Sequence, residues 1–205
     1  MFILAFNDLK RSTTEGNTMN ANLIDQAYKD KILSPERHLR LIQNIDSYAA
    51  TAGIPVAKVC QSAQGFLNST DKEVALNLKS YIQKGLAGYV IKENGQKSIE
   101  LRMQAMTGVF LRNFIDARLT VLSDVLANIE EAQEAKVLLI PNFLIAKLGG
   151  KMLPGWRVAE LHGLLLQRHA SGKFTIIYAK SIDKLHTEYG QSMREHVRDN
   201  YIGGK

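Results

Sequence analysis

The chain of 205 residues has a single cysteine, Cys60. An internal disulfide is therefore excluded, and the composition fits a reducing cytoplasm. No histidine stands near Cys60 in sequence, so a buried small apolar residue is expected there and not a nucleophile. Long apolar runs are missing too, since none approaches the roughly 20 residues that cross a bilayer. The opening MFILAF is too short for a signal peptide and lacks its cleavage pattern. Basic clusters are equally scarce. The formal charge is +6 and the pI about 9.4, yet no four basic residues stand together. That balance admits acidic partners, nucleic acid among them, without marking a surface that reads sequence. No internal repeat is visible.

What is present describes an ordinary globular chain, 45% hydrophobic and 22% charged, long enough for one domain with a small extension. Residues 1–20 read as a flexible polar leader, in which Met19 offers a second start beside Met1. Residues 21–52 read as a helical extension. Ile24, Ala27, Tyr28 and Ile32 fall at helical spacing there. Ser34-Pro35 gives a fresh helix start, and Leu39, Ile42, Ile45 and Tyr48 form the next apolar face. Gly53-Ile54-Pro55 breaks that pattern and opens the core, residues 53–205.

Within the core, apolar runs alternate with helical patterns. Strands are expected at 89–91, 118–121, 136–140 and 174–178. Two of them, KVLLI (Lys136–Ile140) and FTIIY (Phe174–Tyr178), are continuous apolar runs of the kind buried on both faces of a parallel sheet. Helices are expected over 71–84, with Ser69 or Thr70 as cap, and over 98–115, 123–132 and 156–170. A last helix runs from about 181 to 201, broken near Gly190. This alternation predicts an α/β fold, a parallel sheet flanked by helices.

The stretch between the first strand and its helix carries the chemistry. GYVIKENGQKSIEL (Gly88–Leu101) runs strand, polar turn, Lys-Ser, helix, the layout of a loop whose backbone N–H groups cradle phosphate. Laid on G-x-x-x-x-G-K-[ST], Lys97 and Ser98 match, while Ile91 and Gln96 replace the glycines and Gly95 stands one place early. A nucleotide-binding stretch there comprises Asn94, Gly95, Gln96, Lys97 and Ser98. A solvated loop is the alternative reading.

Taken in order, these pieces resemble the ATPase core of bacterial replicative-helicase loaders of the DnaC and DnaI type, which are AAA+ relatives. GIPVAKVCQSAQGF (Gly53–Phe66) is similar to the segment preceding that core. GYVIKENGQKS takes the place of the phosphate loop. ARLTVLSDVLANI (Ala117–Ile129) is similar to the second strand and helix start. KVLLIPNF (Lys136–Phe143) stands for the Walker B strand, and WRVAELHGLLLQRHASGKFTIIYA (Trp156–Ala179) for the following helix, arginine and sensor strand. The resemblance covers about residues 53–197 and implies an AAA+/RecA-like three-layer core. It also brings out departures. The two Walker B acids are replaced by Pro141 and Asn142, a polar sensor pair by Ala179-Lys180, and a loop glycine by Gln96. A full C-terminal lid is not expected. The implied protein is a pseudo-ATPase with a degenerate P-loop, with no metal or cofactor required and ATP/Mg doubtful.

Several functions stay open at this point. One is a non-hydrolysing adaptor of a phage or mobile element, contacting a replicative helicase or another replication protein, with self-association and single-stranded DNA as further contacts. A second is an active ATPase in which Asp124 or Glu134 substitutes for the missing acids. A third is an inhibitory or structural protein that keeps only the fold. Arg168 stands where an AAA+ subunit reaches a neighbour's nucleotide, with surface salt bridging as the alternative. His162 and His169 share a helix face without a carboxylate or thiol to complete a metal site. Lys184, Arg194 and Arg198 decorate the last helix as a basic face, and Trp156 is expected to pack.

Overall fold

Val137, Leu138, Leu139 and Ile140 are all buried, and Leu138 and Ile140 point to the opposite face from Val137 and Leu139. A strand apolar on both faces can only be satisfied in the middle of three layers. The computed structural model describes residues 35–63, 65–92, 99–144, 147–148 and 151–204. In it this strand, β3 (Val137–Ile140), lies in a parallel sheet with β1 (Gly88–Ile91), β2 (Ala117–Leu119), β6 (Phe174–Tyr178) and β7 (Tyr201–Ile202). The order across the sheet is β2-β3-β6-β1-β7. Register pairs Leu119 with Leu139, Val137 with Phe174, Tyr89 with Ile176 and Gly88 with Tyr201. All four expected strands are present. The fifth, β7, ends a stretch whose pattern predicts helix.

Helices cover both faces. On one side lie α1 (Pro35–Gln43), α2 (Ile45–Thr51), α3 (Val56–Cys60), α4 (Ser69–Gln83) and α5 (Ile99–Arg112). Met103, Met106 and Phe110 of α5 are buried there against Tyr89, Ile91, Val137 and Ile176. On the other side lie α6 (Leu122–Ala127), α7 (Ile129–Glu134), α8 (Gly155–Ala170), α9 (Ile182–Tyr189) and α10 (Gln191–Asn200). Leu161, Leu164 and Leu165 of α8 pack there on Leu138, Ile140 and Ile177. Each such side chain taken from water is worth about 1.5–3 kcal/mol, so the two layers hold the sheet between them.

Several local expectations need correction. The helix expected over 123–132 is two, because Asn128 closes α6 and its side chain then accepts from Glu131 N to start α7. The cap of α4 is Asn68, not Ser69 or Thr70, and it forms a reciprocal capping box with Asp71. Within the stretch expected as a loop a short antiparallel pair forms, β4 (Lys147–Leu148) with β5 (Lys151–Met152); Gly149 and Gly150 lie outside the described residues. Leu39, Ile42 and Tyr48, expected as an inward stripe, are exposed; Leu41 and Ala49 point inward instead. Trp156 is 59% exposed and does not pack in the core.

Candidate functional site

In an open α/β sheet, ligands bind outside the carboxyl ends of the strands. Here the neighbouring strands β3, β6 and β1 bring three such ends side by side. β1 runs out at Ile91-Lys92, and α5 begins at Ile99. The residues expected to form a phosphate loop, Asn94, Gly95, Gln96, Lys97 and Ser98, lie between them in sequence, outside the described residues. The next end belongs to β6. Ala179 is buried and its N–H still donates to Ile91 O at 3.2 Å, so only Lys180 leaves the ladder.

At the end of β3 the chain turns through Pro141 and Asn142. The Asn142 side chain is committed: its Oδ1 accepts from Leu122 N at 2.8 Å. Leu122 opens α6, whose N-cap Val121 has no side-chain acceptor. Asn142 thus supplies the cap from another strand, satisfying one of the donors that every helix start leaves unpaired. The position that resembles a water-positioning acid therefore carries a neutral helix cap.

Beside these residues opens a cleft of about 750 Å³, whose lining includes Thr51, Glu100, Gln104, Asp124, Pro141 and Asn142. Arg118, on its wall, is held by the Glu131 carboxylate and donates to Thr51 O. Asp124 is exposed and shares the cleft with the end of β3, within the region where a carboxylate would substitute for a missing acid. Glu134 does not. It closes α7 three residues before β3 starts, at the amino end of that strand.

Arg168 is corrected outright. Its guanidinium is 0% exposed and donates to Thr175 Oγ1 at 3.0 Å, to the carbonyls of Ala132 and Ala135 at 2.7 and 2.9 Å, and to Phe174 O at 2.8 Å. Burial pushes its pKa down to about 10, with the Tyr201 and Asp116 side chains acting in the opposite direction. A side chain so enclosed reaches neither a neighbouring subunit nor a surface carboxylate. It ties the end of α7 to the start of β6.

His162 and His169 meet a third imidazole, His196 of α10, with ring centroids 5.9 and 5.6 Å apart. His169 Nε2 lies 2.9 Å from Gly85 O. Among the described residues no group of three or more His, Cys, Asp or Glu is disposed to hold a metal ion. Burial, and then the two neighbouring imidazoles, push the His196 pKa down to about 4. Of the basic residues near the C-terminus, Arg194 pairs with Asp183 and Arg198 with Asp199, while Lys184 is exposed. Cys60 is buried, as its isolation suggested.

A second buried, strongly bonded polar group is one that sequence pattern alone does not single out. Asp71 is fully buried and accepts from Arg102 Nε and Nη2, both at 2.6 Å, from the Tyr89 hydroxyl at 3.0 Å and from Asn68 N at 3.0 Å. Burial lowers the Arg102 pKa, but bonding to Asp71 outweighs it and leaves the pKa raised. Tyr89 is raised by burial and by the Asp71 charge. The available signal was an Asn-x-x-Asp capping pattern and an arginine on the apolar stripe of α5.

Among the described residues no helix is long and apolar enough to cross a membrane. No protein-family model and no curated protein matches the chain.

Proposed function

We propose that this chain is a helicase-loader-like adaptor in DNA replication, acting by protein–protein contact with little or no ATP hydrolysis. One observation carries the reading: the end of β3 offers Pro141 and a helix-capping Asn142 where a phosphoryl-transfer site needs acids to hold Mg²⁺ and align water. The sheet order supports it. Residues at the ends of β1, β3 and β6 could act on one phosphate only if those strands were neighbours, and they are. A core that keeps its packing without that chemistry acts through its surfaces. The partner in this reading is a replicative helicase or another replication protein of a phage or mobile element, with self-association and single-stranded DNA as secondary contacts.

A turnover assay with a Lys97→Ala control tests the catalytic half of the proposal. Hydrolysis at background, unchanged by the substitution, is expected. Turnover at ~1 per second or more, abolished by Lys97→Ala, would overturn it and favour the active-ATPase reading, for which the placement of Asp124 in the cleft speaks. Pull-down of candidate replication proteins by the full chain tests the partner half. Retention of none, with tight and steeply salt-dependent binding of single-stranded DNA, would replace the adaptor by a DNA-binding module.

A further inference from the structure

We draw no further inference here: the strongest candidate, the surface patch at the start of α8 where the exposed Trp156 ring stacks on the Arg157 guanidinium 4.2 Å from its centroid, carries nothing because nothing in the structure shows what covers it.

Discussion

The Arg102 guanidinium grips the Asp71 carboxylate through two bonds of 2.6 Å, both groups buried, and the Tyr89 hydroxyl joins the same carboxylate. One network therefore locks α4, β1 and the first turns of α5 together. β1 and α5 are the two flanks of residues 93–98, so this network fixes the two ends that those residues connect.

Arg102→Met should cost about 3–5 kcal/mol in urea unfolding, because it strands a buried carboxylate. Replacing both partners, as Asp71→Leu with Arg102→Met, should cost far less than the two single changes added together. A single-variant loss below about 1 kcal/mol would show the network to be nearly neutral.

Asn142 gives a separable test of its role as helix cap. Asn142→Ala should lower stability by about 1 kcal/mol, whereas Asn142→Asp, an equally good acceptor, should stay within a few tenths. Asn142→Asp alone should not raise ATP turnover, since Pro141 still stands in place of the companion acid. Equal melting temperatures for the parent and Asn142→Ala would remove the capping role.

The sheet was readable because its central strands declare themselves. KVLLI and FTIIY are apolar at every position, and only a doubly covered strand satisfies that pattern. That Pro141 and Asn142 bring no carboxylate to the end of β3 was equally plain, being a matter of residue type. What stayed hidden was set by contacts distant in sequence. β7 is two residues long and exists because Gly88 and Tyr89 pair with it. Asp71 and Arg102 stand 31 residues apart. The stripe of Leu39, Ile42 and Tyr48 was visible, but periodicity finds a face without saying what it faces. Arg168 looked like a solvated cation at a helix end, since nothing in the local pattern announces that carbonyls of Ala132, Ala135 and Phe174 converge on it.

The same convergence sets the expected behaviour of an Arg168 variant. Lysine keeps the charge but not the planar fork that serves several carbonyls at once. Arg168→Lys should therefore destabilise the fold by on the order of 2 kcal/mol and leave the mass distribution of the folded protein in sedimentation unchanged. A loss of self-association without loss of stability would return Arg168 to a role between subunits.

The last prediction concerns acid. His196 lies between His162 and His169 of α8 and near the Tyr201 ring, and its folded pKa of about 4 lies below the ordinary 6.5. The folded state thus refuses a proton that the unfolded chain accepts. Stability is at its full value above pH 6.5, falls as pH drops through the window from 6.5 to about 4, and loses nothing more from this group below that. A shift of this size corresponds to at most about 3 kcal/mol, reduced wherever α10 moves to let water reach the ring. His196→Phe removes the proton site while keeping a ring of similar size. The difference in unfolding free energy between the parent chain and His196→Phe should therefore change with pH between 6.5 and about 4 and be flat from about pH 7 to 8. Parallel curves across the acid window would show that His196 is free to take up its proton in the folded state.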